Sequence, residues 1–220
     1  MLPFLRAKTL PRTNRAKENP IIYEDGASSL EFRPSADPQT YLIRNMHPPF
    51  NQKDPSIMVP PFHFHMYQTE HFRIVSGKCY LFKDNSDTPW KILDDNDPNA
   101  AKTAFIPPNQ YHTINNASAT QPLLLDVSLT PEDIESEERF FRNFFGYLDD
   151  CKKEGQSPSI FQLFVFLQSA DTPLALPIAP KWFGRFLSRA LMNAMGYFGR
   201  WILGYKLTYE EYFVAKDKTL

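Results

Sequence analysis

The chain has 220 residues, of which 42% are apolar, and its formal net charge is −1 with a pI of about 6.5. That size and apolar content suffice for the core of one domain with an extension. The near-neutral charge excludes the basic field on which nucleic-acid binding depends. Two distant cysteines, Cys79 and Cys151, form neither a disulfide framework nor a C-x-x-C metal pair and suit a reducing compartment.

The first 20 residues are polar and basic and contain three prolines. They predict an N-terminal arm, residues 1–20, that is loosely ordered or pairs only in part as a strand. The arm lacks the continuous apolar stretch and the small-residue cleavage site of a signal peptide. Because the chain also has no run of 18 clean apolar residues, we expect a cytoplasmic location and no membrane span.

Residues 21–130 alternate short β-rich runs with turn clusters, at the spacing of an all-β sandwich or barrel. A polar stretch between Phe82 and Lys102 predicts an exposed hairpin around one short strand. In chain order the predicted strands are IIY, LEF, TYLIRN, FHFHMY, EHFRIVSG, KCYLF, WKIL, TAFIP, YHTIN and PLLLDVSL.

Residues 131–220 change to helical patterns. The sequence TPED predicts a helix start with Thr130 as the N-cap and Pro131 in the first turn, and an apolar stripe at helical spacing follows. A second segment, from Ile160, is apolar nearly all round, which is typical of a buried helix. A third segment, from Trp182, is strongly amphipathic.

The third segment has two interpretations. Its apolar face either covers the barrel or a homodimer partner, which we favour, or lies on a membrane surface. Three arginines, Arg185, Arg189 and Arg200, fall largely off that face. Four small residues would let another element approach the helix closely: Gly184, Ser188, Gly196 and Gly199.

Three of the five histidines lie within nine residues, in the stretch HFHMYQTEH. Because successive side chains of a strand alternate between its faces, His63 and His65 project from the same face. Glu70 follows at a distance that lets the chain turn and bring a carboxylate to the same point. An H-x-H pair alone is weak evidence for a site, since buried histidines are often satisfied by ordinary hydrogen bonds.

A second run, PPNQYHTINN, follows about thirty residues later. The two stretches together resemble the paired motifs of the cupin superfamily over residues 55–130. The matched positions of H-x-H-x4-E-x6-G and P-x-G-x2-H-x3-N are His63, His65, Glu70 and Gly77, and then Pro107, Asn109, His112 and Asn116. Asn109 stands where glycine is usual, but Asn tolerates positive φ and suits a type II turn after Pro108.

The resemblance implies a mainly β fold. Residues 21–130 would form a cupin-type barrel of two facing antiparallel sheets, and residues 131–220 an α-helical extension that packs on it. It also implies one divalent transition metal inside the barrel, bound by His63, His65, Glu70 and His112. Three imidazoles and a carboxylate suit Fe, Mn, Ni, Cu or Zn alike.

Stand-alone cupins of this size are similar to enzymes that tailor secondary metabolites. We therefore expect a metal-dependent enzyme acting on an apolar small organic molecule, with oxygenation favoured over decarboxylation, cyclisation or isomerisation. Glu70 and Tyr111 are the candidate catalytic residues, and Glu70 would accept a proton. The alternative is a non-catalytic ligand-binding or membrane-peripheral module whose helices form the functional surface.

Strand alternation also predicts what surrounds the metal. His71 should face away from the site. His47, in NMHPPF, would lie either on a strand edge near the barrel mouth or in a solvent loop, and we favour the loop. Four apolar residues are expected to line the pocket: Phe72, Ile74, Phe105 and Ile114.

Overall fold

A computed structural model describes residues 7–33 and 43–215 of the chain. Within these ranges nine strands are followed by three α-helices. The first residues of the predicted arm, part of the predicted strand TYLIRN and the last five residues of the chain lie outside the described residues.

Six strands form the larger antiparallel sheet: β1 Ile21–Tyr23, β2 Ser28–Phe32, β3 Ile43–His47, β4 Thr69–Ser76, β7 Thr103–Ile106 and β9 Leu123–Thr130. Their spatial order is β1-β2-β3-β9-β4-β7. Three strands form the smaller sheet: β5 Lys78–Lys83, β6 Lys91–Asp94 and β8 His112–Asn116. Their spatial order is β6-β5-β8, and every strand pair in both sheets is antiparallel.

The two sheets face each other across one apolar core. Strand β4 has the alternation of a half-buried strand, with Glu70, Phe72 and Ile74 inside. Phe72 and Ile74 meet Leu81 and Ile114 of the smaller sheet in this core, and full burial of each such side chain stabilises the fold by about 1.5–3 kcal/mol. The predicted fold, mainly β with two facing antiparallel sheets and helices towards the C-terminus, is confirmed.

The register of β7 corrects one expected pocket residue. Glu70 of β4 pairs with Ile106 and Phe72 pairs with Ala104, so Ala104 and Ile106 point inward. Phe105 is 61% exposed. The prediction that Phe105 lines the pocket was wrong because it placed β7 one residue out of register.

The helices are α1 Ile134–Lys153, α2 Ile160–Ser169 and α3 Lys181–Tyr197, and a π-helical turn Phe198–Ile202 extends α3. Helix α1 begins after Asp133, whose carboxylate accepts a hydrogen bond from the Ser136 amide. The predicted N-cap, Thr130, instead ends β9, where it pairs with Thr69. None of the helices within the described ranges combines the length and the apolarity needed to cross a membrane.

Helix α1 packs its phenylalanines on the buried face of β1, β2 and β3. Phe145 is buried there against Ile21, Tyr23 and Ile43, and Phe144 is partly buried beside it. Helix α3 packs on α2 through small residues. A Cβ at Gly196 would lie 2.5 Å from Gln168 Oε1, so a larger residue there would have to displace the Gln168 side chain of α2.

The N-terminal arm is tied to α1 by a buried guanidinium. Arg15 is 4% exposed and pairs with Asp149 at 2.5 Å and with Asp150 at 3.2 Å. Asp150 also accepts hydrogen bonds from the hydroxyls of Thr13 and Tyr212. Residues 7–20 contain no helix or strand, so this network fixes the arm together with a backbone hydrogen bond from the Arg15 amide to Glu211 O at 2.7 Å.

Replacing Arg15 by methionine should lower the free energy of unfolding by about 3–5 kcal/mol, because two buried carboxylates lose their guanidinium. Urea denaturation followed by circular dichroism measures the loss. The control is Lys78→Met, which breaks a partly exposed pair with Asp94 and should lower the free energy of unfolding far less, because solvent screens an exposed ion pair. Equal losses in the two variants would contradict the anchoring role of Arg15.

Candidate metal centre

The four side chains named by the two motifs converge on one point. The ligand atoms of His63, His65, Glu70 and His112 all lie within 4.8 Å of one another, and no residue of this four-residue cluster is more than 9% exposed. Metal bonds to nitrogen and oxygen of about 2.0–2.2 Å place opposite ligands roughly 4 Å apart. The buried cluster can therefore hold one metal ion.

Backbone pairing between the two motifs sets this convergence. His63 and His112 exchange both backbone hydrogen bonds, at 3.0 and 2.9 Å, so their side chains project from the same face. The stretch FHFHMY was predicted to be a strand, but it forms only isolated bridges at His63. His65 still shares the face of His63 because the segment between them is extended.

The other edge of the first motif is paired by the loop between α2 and α3. The amides of Phe64 and Met66 donate to Pro173 O at 3.1 Å and Asp171 O at 3.0 Å, and the amide of Ala175 donates to Phe62 O at 2.8 Å. The segment that carries His63 and His65 is thus fixed on both edges. One edge belongs to the barrel and the other to the helical part of the chain.

Asn109 supplies the turn of the second motif. Its φ is 64°, and the Gln110 amide donates to Pro107 O at 3.3 Å, as in the predicted turn. The Asn109 amide donates to His65 O at 2.8 Å, so the turn also fixes the first motif. Its side-chain oxygen accepts a hydrogen bond from Arg189 of α3, a contact that the usual glycine could not make.

Backbone carbonyls select the tautomer of two of the histidines. His63 Nδ1 lies 2.9 Å from Pro61 O, and His112 Nδ1 lies 2.9 Å from Gln110 O. A carbonyl oxygen only accepts hydrogen bonds, so each Nδ1 carries the proton. The Nε2 atom of each ring is left as the nitrogen that can bind a metal.

A hydroxyl has the same role at the third histidine. Thr172 Oγ1 donates to Ala170 O at 2.8 Å and lies 3.3 Å from His65 Nδ1. Since its proton is already donated, the hydroxyl accepts from His65 Nδ1. Metal-binding histidines characteristically donate their other ring nitrogen to an oxygen in this way.

The Nε2 atoms of His112 and His65 both lie close to one carboxylate oxygen of Glu70. His112 Nε2 lies 2.6 Å and His65 Nε2 3.3 Å from Glu70 Oε2, and His65 Nε2 is buried without a hydrogen-bond partner among the described residues. A nitrogen lone pair and a carboxylate oxygen repel each other at these distances unless a cation or a proton lies between them. The donor set therefore fits a divalent metal ion.

Ionisation of the cluster suits metal binding. Burial raises the pKa of Glu70, but the His112 and His65 rings beside its carboxylate outweigh burial and hold the pKa well below its usual value. Burial, together with the neighbouring His112 and His65, lowers the pKa of His63 to about 3. An ionised carboxylate and a neutral imidazole are the forms that ligate metals.

The cluster borders an inner cavity of about 80 Å³ between the barrel and α1. An outer cavity of about 230 Å³ adjoins it and shares His65, Phe140, Phe141 and Thr172. The inner cavity is mainly apolar, and the outer one carries four carboxylates. The apolar residues that line the inner cavity are Met58, Pro60, Pro61, Ile114, Val127, Phe140, Phe141, Phe144, Phe145, Leu167 and Leu174.

His47 is a cavity residue that the sequence interpretation missed. It was expected in a solvent loop, but it ends β3, is 2% exposed and lines the inner cavity. Neither ring nitrogen has a hydrogen-bond partner among the described residues. The alternation of Ile43, Asn45 and His47 as buried positions was the available signal, and the two prolines that follow His47 obscured it.

Three other predicted positions lie away from the cluster. Tyr111 stacks on Phe64, with ring centroids 5.2 Å apart, on the side opposite the histidines. This position gives no support to its predicted catalytic role. Asn116 holds a loop by donating to Pro48 O and Gln121 O. His71 faces away from the cluster, as expected, beside the exposed Phe105.

No family model matches the chain. It is similar to "Probable oxidoreductase virH" of Hypocrea virens, with 28% identity over 211 residues, 92% of this chain and 91% of the relative. It is also similar to "Oxidoreductase iacF" of Pestalotiopsis fici, with 26% identity over 205 residues, 88% of this chain and 95% of the relative.

Among solved structures, the chain is similar to an uncharacterized conserved protein with a double-stranded beta-helix domain from Klebsiella pneumoniae. The identity is 17%, the match covers 52% of this chain and 73% of that one, and the TM-score is 0.30. The predicted likeness to the cupin superfamily is confirmed by features of the chain itself, namely the two facing sheets and the four-residue cluster.

His47 should make stability depend on pH. Burial lowers its pKa from 6.5 to about 4, so its contribution is present above pH 6.5 and is lost as the pH falls through the interval between these values. Between about pH 7 and about pH 5, the loss through His47 is about 2 kcal/mol. A His47→Leu variant should lack this part of the decline.

Urea unfolding of chelator-treated protein at the two pH values measures the effect. The buried His63 adds equally to the pH-dependent loss of stability in wild type and in the variant. The difference between their two losses therefore measures the contribution of His47. A matched His71→Leu variant, at a partly exposed position, should retain the full decline. An unchanged decline in His47→Leu would show that His47 is not buried as a neutral imidazole.

Proposed function

We propose that this chain is a metal-dependent oxidoreductase that modifies a small, uncharged and largely apolar organic molecule in secondary metabolism. The observation that carries the proposal is the opening of the four-residue cluster into an apolar cavity, with its imidazoles held in the ligating tautomer. The relatives that are named oxidoreductases favour redox chemistry over lyase or isomerase activity.

His63, His65, Glu70 and His112 would hold the metal. Fe, Mn, Ni, Cu and Zn are all compatible with this donor set, and the proposed reaction favours a redox-active ion. When bound, such an ion supplies electron transfer and Lewis acidity next to the inner cavity.

Two side chains are placed to handle protons and orient the substrate. Glu70 is the single carboxylate among the described residues that line the inner cavity, and its low pKa keeps it ionised, the form that can take a proton from a bound substrate. His47 lines the same cavity as a neutral imidazole, and neither of its nitrogens has a hydrogen-bond partner within residues 7–33 and 43–215. It can hydrogen-bond to a hydroxyl or carbonyl oxygen of the substrate.

The cavity linings define the class of substrate. Neither cavity has a lysine or arginine among the described residues that line it, and the outer one contains Glu132, Asp133, Glu137 and Asp171. A carboxylate or phosphate on the part of the substrate in the outer cavity would meet these like charges and would find no lysine or arginine among the described lining residues. Phenols, enols and ketones with apolar substituents fit both linings.

The cavity volumes define how much of the substrate reaches the cluster. Small-molecule sites typically measure roughly 300–1,000 Å³, and the inner cavity, at about 80 Å³, is far smaller. It accommodates the reacting end of the molecule. The outer cavity, about 230 Å³, holds the remainder, and Phe140 and Phe141 of α1 stand between the two.

Protein purified without chelator should contain one transition-metal ion per chain, measured by inductively coupled plasma mass spectrometry. The His65→Ala variant should lose most of the metal because it lacks one of four ligands. The matched His71→Ala variant should retain it, since His71 faces away from the cluster. Equal metal content in the two variants would remove His65 from the metal site.

Glu70→Gln should keep the fold, because the change is nearly isosteric, and should reduce turnover at matched metal occupancy by about 100-fold or more, since an amide cannot accept the proton. Dioxygen consumption with a panel of uncharged phenols and enolisable ketones measures turnover. The control, Glu132→Gln, makes the same chemical change at the exposed rim of the outer cavity and should have little effect. Equal rates for wild type and Glu70→Gln would contradict the assignment of Glu70 as a catalytic residue.

A further inference from the structure

Helix α3 and its π-helical turn present large apolar side chains to solvent. Trp182, Phe186 and Trp201 are 66%, 60% and 68% exposed, far above the level of a helix packed on a core. We call this surface the α3 aromatic face. Its members are Trp182, Phe183, Phe186, Leu191, Tyr197, Trp201 and Ile202.

The opposite face of the helix fixes this orientation. It consists of small or slender residues that lie against the rest of the molecule, among them Gly184, Gly196 and Gly199. A Cβ at Gly184 would lie 2.6 Å from Ile178 O, and one at Gly199 would lie 2.9 Å from Phe161 O. The neighbouring backbone leaves no room for a side chain at these two positions, so the glycine face packs against the molecule and the aromatic residues point away from it.

The chain segment that carries the α3 aromatic face has charge of one sign, and one of its basic residues, Lys181, pairs with Asp84 at 2.9 Å. Residues 172–209 contain five basic residues and no acidic residue, in a chain whose net charge is −1. No described carboxylate forms an ion pair with Arg185 or Arg200, and the Arg200 guanidinium lies 4.9 Å from the Trp201 ring. Arg189 differs, because it donates to Asn109 near the metal cluster.

This combination of aromatic residues and unpaired arginines selects one partner. A second copy of the chain, packed symmetrically through this face, would bring the arginines of the two copies close together. An anionic bilayer offers apolar depth for Trp and Phe and phosphates for Arg, as in helices that lie in the membrane interface. We propose that the α3 aromatic face docks the protein on an anionic phospholipid surface.

Co-sedimentation with vesicles tests the proposal on the full chain. Wild type should sediment with vesicles of phosphatidylcholine and phosphatidylserine, at least tenfold more strongly than with phosphatidylcholine alone, and added salt should weaken the binding. The triple variant Trp182→Ser, Phe186→Ser, Trp201→Ser should lose binding to both. These three side chains are exposed, so circular dichroism should show an intact fold.

The charge variant Arg185→Glu, Arg200→Glu should reduce binding to the anionic vesicles by about tenfold or more, because attraction at two positions becomes repulsion. Its control is Lys17→Glu, Lys53→Glu, which makes the same charge change at exposed positions outside this face. The control should bind like wild type. Equal loss in both double variants would assign the binding to net charge and overturn the proposal.

Light scattering after size-exclusion chromatography tests the alternative, that a second copy of the chain covers the α3 aromatic face. Wild type without lipid should be monomeric. A wild-type dimer that the triple variant converts to monomer, with no binding to anionic vesicles, would overturn the proposal in favour of a second copy. Absence of wild-type binding to anionic vesicles in the monomer would overturn it as well. Neither result depends on the metal content of the cluster. Membrane docking and the proposed function are therefore tested independently of each other.

Discussion

The candidate site depends on one short segment, residues 62–66, being hydrogen-bonded on both edges. His63 pairs with His112 on the barrel side, and Phe64 and Met66 pair with the loop that joins α2 to α3. An extended segment with only one paired edge could twist or slip by a residue, which would send His63 and His65 to the opposite face. The helical part of the chain is therefore a component of the site, and Thr172 of the same loop also orients the His65 ring.

The parts of the site that the sequence predicted are those set by local geometry. Alternation along an extended chain places His63 and His65 together, and the turn at Asn109 needs a residue that tolerates positive φ, which the structure shows at 64°. His47 and Phe105 were misplaced because their orientation depends on strand register, which is set by partners distant in sequence. The pairing of the first motif with the α2–α3 loop also joins residues distant in sequence, and no local sequence pattern predicts it.

Helix α3 shows a different limit. Its amphipathic pattern was readable from the sequence, but periodicity identifies two faces without indicating which one the fold covers. The glycine face is covered because backbones can approach closely there, and the seven large residues of the α3 aromatic face remain in water. Full burial of such a side chain is worth about 1.5–3 kcal/mol, and Trp182, Phe186 and Trp201, at 60% exposure or more, forgo much of it. Such a cost is unusual for neighbouring side chains unless another surface covers them.

The electrostatics of the cluster link its chemistry to the stability of the fold. Glu70 is ionised in a buried setting, where an unpaired carboxylate is strongly destabilising. The Nδ1 protons of His63 and His112 are committed to backbone carbonyls, so these rings can neutralise Glu70 only by taking a second proton, and burial lowers the pKa of His63 to about 3. A divalent cation satisfies the carboxylate and the imidazole lone pairs together without charging any ring. Because such an ion binds the assembled cluster and not the unfolded chain, its binding free energy adds directly to the stability of the strands and of the α2–α3 loop that hold the four ligands in place.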